Sequence, residues 1–277
     1  MALNIYYKGF NNLGNTCYLN AGLQLIINNK ELCYLIIKST NPKLKELSNF
    51  IKEYYNKNSN NSLSPSFIKD IVSQNNSQFI GLTQNDSFEF IIYFLDWILK
   101  EINYNPYEIV TNISIKCKLL ACLNISSHNE KNSFLLLDIN KDTSSLDDCY
   151  RLYKMREKFS DDNLYFCEKC NDKRIASKRI EIITWPTHLI IVLKRFYHNG
   201  RSIKINKDID IPIEWRHGYE LNGIVFHSGS STGGHYIYIG KYKDKWLMYN
   251  DNYVTEIQHG QLDTYKNSGY IFYFIKK

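Results

Sequence analysis

The chain is poor in the two residues that punctuate loops, with 13 glycines and 5 prolines in 277 residues. That excludes collagen-like and Pro/Gly-rich low-complexity architectures. It has no apolar run approaching the roughly eighteen residues of a membrane span; the best stretch, Phe88 to Leu99, is broken by Asp96. The opening MALNIYYKGFNN holds no apolar core of a secretory signal. There is no Lys/Arg block either. The net charge of +6 is spread along the chain and argues weakly at most for nucleic acid, so neither nucleic acid nor a membrane is expected as partner. With no export signal, the seven cysteines are expected to be thiols or metal ligands rather than a disulfide framework. The protein is therefore expected inside the cell, in cytoplasm or nucleus, or in those of a host if a virus or parasite encodes it. No internal repeat is visible, and the single low-complexity stretch, NKNSNNSLS from Asn56 to Ser64, is expected as a surface loop.

What is present is a globular composition. The chain is 44% apolar and 14% aromatic, enough to build a sizeable core. Heavy use of Asn, Ile, Lys and Tyr reads as coding pressure from an AT-rich genome before it reads as function. Helical spacing dominates the first third. Leu19, Leu23, Ile26 and Ile27 share one helix face, as do Leu44, Leu47, Ile51, Tyr54 and Tyr55. Ser64-Pro65 predicts an N-cap followed by proline at the first helical position. Phe88, Ile91, Ile92, Leu95, Ile98, Leu99 and Ile102 predict the strongest stripe. From about residue 109 the period shifts toward strands: His188 to Leu193, Leu221 to Phe226, His235 to Tyr242, Lys245 to Tyr249 and Gly269 to Ile275, with a turn at Lys243-Asp244. Ser145 to Phe159 predicts one more helix. Helices first and mostly antiparallel strands after is an α+β order.

Two segments carry chemistry. In GFNNLGNTCYLNAGLQ, Gly9 to Gln24, a polar loop runs directly into a helix whose first residue is Cys17. A helix N-terminus stabilises a thiolate, and its free N–H groups can hold an oxyanion on an attacked carbonyl. Asn12 can add an amide N–H. A free cysteine is more often a small core residue, but Asn11, Asn12, Gly14, Asn15 and Thr16 are poor core formers placed where the backbone must bend. A thiolate of this kind needs a general base oriented by a third group. Of the seven histidines, His235 follows a flexible loop containing Gly229, Gly233 and Gly234, and opens a strand. Asn250 closes the next strand, and a tight turn can bring the two side chains together. His188, inside an apolar strand, is expected to be a satisfied core residue. His128, His198, His217 and His259 fall in polar stretches without a partner pattern.

The first segment resembles the cysteine box of the ubiquitin-specific protease family, G-L-x-N-L-G-N-T-C-Y-M-N-S-x-L-Q. Phe10, Leu19 and Ala21 replace its Leu, Met and Ser. The second is similar to the family's histidine box, G-G-H-Y followed by W-x-x-F/Y-[ND]-D-x-x-V. The match implies Cys17 as nucleophile, Asn12 as oxyanion donor, His235 as base and Asn250 as third member, with Asp251 the alternative orienter. QNDSFEF, Gln84 to Phe90, resembles the family's Q-Q-D-A-x-E-F box. It implies that Gln84 holds the loop or tail near the centre, and that Asp86 and Glu89 meet the arginines of the ubiquitin tail. Helix capping alone also favours carboxylates there. His227 matches a histidine before the glycine loop, lining the site or supporting it. Gly233 and Gly234 border a narrow channel that passes only a Gly-Gly tail. LKRF, Leu193 to Phe196, is a family signature read as structural.

The resemblance implies a papain-like fold in one domain, residues 1–277. It comprises a helical thumb to about 108, then an antiparallel palm and reduced β fingers from about 109, with no added domain. It implies a monomeric hydrolase of the bond after the last glycine of ubiquitin or a ubiquitin-like protein in its conjugates, with no cofactor in catalysis. A protease for another modifier, or a silent ubiquitin-binding module, is the alternative. Cys167 and Cys170 form a C-x2-C knuckle, half of a structural zinc site. The upstream candidates are Cys117 and Cys122. Their spacing departs from the family's C-x2-C, and in a plain strand they would face opposite ways. Cys33 and Cys149 are expected in the core.

Overall fold

The computed structural model describes residues 8–59, 61–198, 200–258 and 260–277. Five helices come first: α1 (Cys17–Ile27), α2 (Lys30–Lys38), α3 (Lys45–Tyr54), α4 (Ser66–Asn75) and α5 (Ser87–Ile102). Then follow β1 (Ile109–Cys117), β2 (Ile125–Asn132), β3 (Leu135–Leu137), α6 (Leu146–Tyr153), β4 (Glu157–Phe159), β5 (Tyr165–Cys167), β6 (Asp172–Arg174), β7 (Ala176–Thr184) and β8 (His188–Leu193). The chain ends with β9 (Phe196–His198), β10 (Ser202–Lys204), β11 (Glu214–Trp215), β12 (Tyr219–Gly229), β13 (Gly234–Tyr242), β14 (Lys245–Asn250), β15 (Tyr253–Glu256), α7 (Gln261–Asn267) and β16 (Ile271–Lys276). The fold is α+β, as the periodicities predict. No helix among the described residues is long and apolar enough to cross a membrane.

The large sheet has the order β15-β14-β13-β12-β16-β8-β3, with β11 on β12. All its pairs are antiparallel except β3 with β8. One face packs on the helices through a core that includes Tyr18, Leu23, Phe90, Ile190, Val225 and Tyr238. The other face carries a second core with Leu146, Cys149, Leu189, Ile191, Ile239 and Phe274. β8 is buried at every position because it lies between these cores. A separate four-stranded sheet, β2-β1-β7-β4, extends away, and the β5–β6 hairpin accompanies it.

Every residue of α1 is buried, including Asn20 and Gln24. A helix set between another helix and a sheet has no solvent face. That packing also turns α5: it buries Phe90, Ile91, Phe94, Leu95 and Ile98, while Ile92 of the predicted stripe stays 39% exposed. α5 is apolar almost all round, so spacing alone did not select its inner arc. Two further boundaries differ from expectation. The helix predicted over Ser145 to Phe159 stops at Tyr153, and Glu157–Phe159 pairs with β7 instead. Ser64-Pro65 does not cap as predicted: α4 starts at Ser66 with Pro65 at the cap position and no side-chain bond. Lys243-Asp244 is the predicted turn, with Lys243 at φ 52°. Arg195 of LKRF is 2% exposed. Its guanidinium donates to the carbonyls of Gly269, Ile205, Lys207 and Asn267, tying two loops to the sheet.

Candidate active site

Cys17 begins α1 and is 4% exposed. The preceding loop reaches the helix through two left-handed residues, Gly14 at φ 97° and Asn15 at φ 55°. Asn12 holds that bend. Its Oδ1 accepts from the backbone N–H of Gly14 (3.0 Å) and of Thr16 (3.1 Å). Its Nδ2 donates to Asp251 Oδ2 at 2.9 Å. The second N–H of that amide is left over for a ligand.

His235 lies at the start of β13, and its Nε2 meets Asn250 Oδ1 at 2.7 Å. With Nε2 so engaged, Nδ1 is the nitrogen left for sulfur. A side-chain hydrogen bond with Cys17 is the main influence raising the imidazole from its ordinary 6.5 to about 9; burial opposes it and Asn250 adds to it. The two residues from opposite ends of the chain therefore meet. Asn250 makes the bond to the ring. Asp251 makes none, acting on His235 only through its charge. Asp251 instead takes Asn12 on one oxygen and Asn20 Nδ2 on the other, at 2.7 Å. Asn20, three residues after Cys17 and so on its helix face, has no role in the sequence reading; its place inside NTCYLN was the available signal. The turn holding Asp251 presses on the start of the Cys loop. A Cβ on Gly9 would overlap Asp251 and Asn252, and Phe10 N–H donates to Asp251 O at 2.8 Å.

A cleft of about 610 Å³ runs beside this point and reaches residues flanking His235, lined among others by Gln84, Glu89, Phe196, His227, Gly233 and Tyr236; Cys17, His235 and Asn250 are not in its walls. Gln84, in its wall, is bonded twice to the glycine loop: Nε2 donates to Gly234 O at 3.2 Å and Oε1 accepts Gly234 N–H at 3.0 Å. Asp86 is spent on structure. It caps α5 on the N–H groups of Phe88 and Glu89 and accepts the hydroxyls of Tyr236 (3.0 Å) and Tyr270 (3.1 Å). Burial raises its carboxyl above the ordinary value. Glu89, one turn on, is exposed at the cleft rim and accepts from Gln78 Nε2. His227 is buried under the glycine loop, its ring 4.5 Å from that of Tyr236 and 5.3 Å from that of Phe196. Burial, then Lys204, push it down to about 4, so it is neutral near pH 7. A Cβ on Gly234 would strike His227 and Ser228 O, so that position needs glycine. Lys204, also absent from the sequence reading, donates to the carbonyls of His227 (2.9 Å) and Gly229 (3.0 Å) and so fixes the base of the loop.

The remaining histidines are not in the site. His188 is bonded to Glu31 (3.0 Å) and Tyr273 (2.7 Å) in the core. His128 pairs with Glu130 on an exposed strand, and His217 lies against Trp185. The His198 side chain and His259 lie outside the described residues. Cys33 and Cys149 are buried, and burial pushes the Cys33 thiol up to about 12.

The Sγ atoms of Cys117, Cys122, Cys167 and Cys170 lie within 4.8 Å of one another, with 3.7 Å between Cys122 and Cys167. A tetrahedral zinc with Zn–S of about 2.3 Å sets its sulfurs about 3.8 Å apart, so the four fit that ion. The opposite-face objection fails because a turn follows β1. Leu119 O accepts the N–H groups of both Cys122 and Leu123, and Leu123 takes φ 46°. In the β5–β6 knuckle, the Cys170 N–H draws the Cys167 thiol below its ordinary value. Zinc here would clamp the end of β1 to the β5–β6 hairpin and take no part in chemistry at Cys17. Cys122→Ala is expected to abolish zinc retention and to lower Tm by more than about 10 °C, read by metal analysis and a thermal melt. Wild-type protein that purifies without zinc, or a variant that melts at the same temperature as untreated wild type, contradicts this.

A helix-borne thiol meeting an imidazole and an amide from the facing sheet, beside a cleft bordered by a glycine loop, defines the papain-like α+β class. The profile of the family described as ubiquitin carboxyl-terminal hydrolase matches residues 8–274, and the chain belongs to that family. It is 28% identical to the probable ubiquitin carboxyl-terminal hydrolase 16 of Schizosaccharomyces pombe over 89% of this chain and 62% of that protein. It is 27% identical to ubiquitin carboxyl-terminal hydrolase 12 of Salmo salar over 98% of this chain and 90% of that one. It thus spans less than two thirds of the fission yeast relative. Among solved structures it is similar to a chain of the SAGA Ubp8/Sgf11/Sus1/Sgf73 DUB module bound to ubiquitin aldehyde. The TM-score is 0.81 at 25% identity, over 98% of this chain and 70% of that chain.

Proposed function

We propose that the chain is a cysteine deubiquitinase that hydrolyses the bond after the C-terminal Gly-Gly of ubiquitin. The carrying observation is the convergence of Cys17, His235 and Asn250 beside a cleft along which Gln84 is bonded to Gly234 of the glycine loop. The names of the relatives, and the ubiquitin aldehyde on the similar Ubp8 module, support the same reading. His235 takes the Cys17 proton, and the thiolate attacks the carbonyl carbon of the last glycine. The oxyanion is met by Asn12 Nδ2 and by N–H groups at the start of α1. His235 then gives its proton to the leaving lysine amine, and water, activated by the same imidazole, hydrolyses the thioester. Asn250 fixes the ring and its tautomer. Asp251 positions Asn12, with Asn20 as its second anchor. Glu89 at the rim faces the arginines of the tail. The reaction needs no cofactor. Unpaired thiols fit an intracellular site of action, and the domain is read as a monomer with a thumb before β1 and palm and fingers after it.

The test is incubation with ubiquitin carrying a C-terminal electrophile. One covalent adduct at Cys17 supports the reading; an unlabelled wild type overturns it. The raised imidazole gives a pH signature. As pH climbs through about 9, His235 loses its proton and the leaving amine loses its acid, so kcat/KM is expected to fall there. In Cys17→Ala the main cause of the rise is gone, and the His235 resonance is expected to titrate closer to 6.5 by NMR. An unchanged midpoint in that variant contradicts the pairing.

A further inference from the structure

The cleft accounts for one side of the reacting centre. Its walls include Val192 of β8, His227 of β12 and Tyr236 of β13. Continuing outward across the sheet, β13 carries His235, β14 carries Asn250, and β15 is the edge strand. β14 and β15 therefore lie on the side of His235 away from the cleft. Tyr253, the first residue of β15, pairs directly with Asn250 across the Asp251-Asn252 turn. Cross-strand partners show their side chains on the same face, with Cβ atoms about 5 Å apart. Tyr253 thus stands beside the amide that holds the catalytic imidazole. It is 70% exposed, more than any other exposed aromatic among the described residues, and it is absent from the cleft walls.

The turn that carries it is held in place. Asp251 is held by Asn12 and Asn20, and the turn is pressed against Gly9 and bonded to Phe10. A large amphipathic ring with few rotatable bonds, carried on a held turn, is the kind of group that gains from covering alkyl surface of a ligand. We propose that Tyr253 forms a leaving-group subsite, its ring covering the alkyl stem of the modified lysine and the backbone beside it. This rests on the deubiquitinase reading above and adds the surface that discriminates among leaving groups.

The experiment compares kcat/KM for two substrates with identical ubiquitin: one joined by an isopeptide bond to lysine in a short peptide, the other a ubiquitin ethyl ester. For Tyr253→Ala, the isopeptide-to-ester ratio is expected to fall about tenfold, the scale of losing one or two apolar contacts in a subsite. Tyr253→Phe keeps the ring and is expected to hold the ratio within about twofold of wild type. An unchanged ratio in Tyr253→Ala, including equal losses on both substrates from a weakened hairpin, overturns the subsite alone. A wild type inert toward both substrates overturns the activity itself and the subsite with it.

Discussion

Cys17→Ala is expected to lose about 10⁶ in kcat, the scale of removing the nucleophile from an interdependent triad, and to form no adduct with ubiquitin electrophiles. The structure explains why no other thiol would replace it. Cys33 and Cys149 are buried away from His235, and burial raises both thiols. Cys117, Cys122, Cys167 and Cys170 are gathered at the far end of β1 with no imidazole among them. Only Cys17 combines a helix start with a hydrogen bond to a ring held by Asn250. Substrate binding should survive the change, because the cleft walls and the Gln84–Gly234 clamp do not involve the sulfur. Cys17→Ala should therefore still retain ubiquitin in a pull-down or calorimetric titration. Adduct formation by this variant would move the nucleophile elsewhere.

The second large effect falls on a residue that does not touch the base. Asn12→Ala removes the proposed oxyanion donor and is expected to cost about 10²–10³ in kcat, or roughly 3–4 kcal/mol of transition-state stabilisation. Asp251→Ala is expected to cost a similar factor, because its carboxylate holds Asn12 Nδ2 in place and ties it to Asn20 on α1. If both act through the same donor, the double variant Asn12→Ala/Asp251→Ala should be about as slow as either single one, rather than the product of the two losses. The NMR midpoint of His235 should move little in Asn12→Ala, where the bond from Asn250 remains. Multiplicative losses would show that Asp251 works on the imidazole instead. Asn250 and Asp251 are adjacent in sequence, and both residue types can orient an imidazole; only Asn250 is bonded to the ring, while Asp251 is bonded to Asn12 and Asn20.

The two chemical segments were legible because each is a local pattern: a polar, bent loop entering a helix at Cys17, and a glycine loop entering a strand at His235. Local backbone physics demands those residue types where they stand, so the α+β order and the candidate residues Cys17 and His235 could be picked out without coordinates. The helix-to-strand change before Ile109 was legible for the same reason, since period 3.6 and period 2 are properties of short windows.

What the sequence could not decide depended on approach between distant segments. Which arc of α5 is buried follows from α1 lying against it. Glu157–Phe159 is strand and not helix because β7 offers it a partner. The four thiols come to one point because a turn after β1 reverses the alternation that a lone strand would impose. Asp86 reads in sequence as an acidic contact for a ligand, yet two tyrosine hydroxyls from 150 and 184 positions away share its carboxylate with the α5 cap. By itself the sequence determined the fold class and which groups are candidates for chemistry, since those are written in residue type and local backbone. Only the tertiary structure decided what each group is bonded to, because a side chain's partners are set by long-range packing.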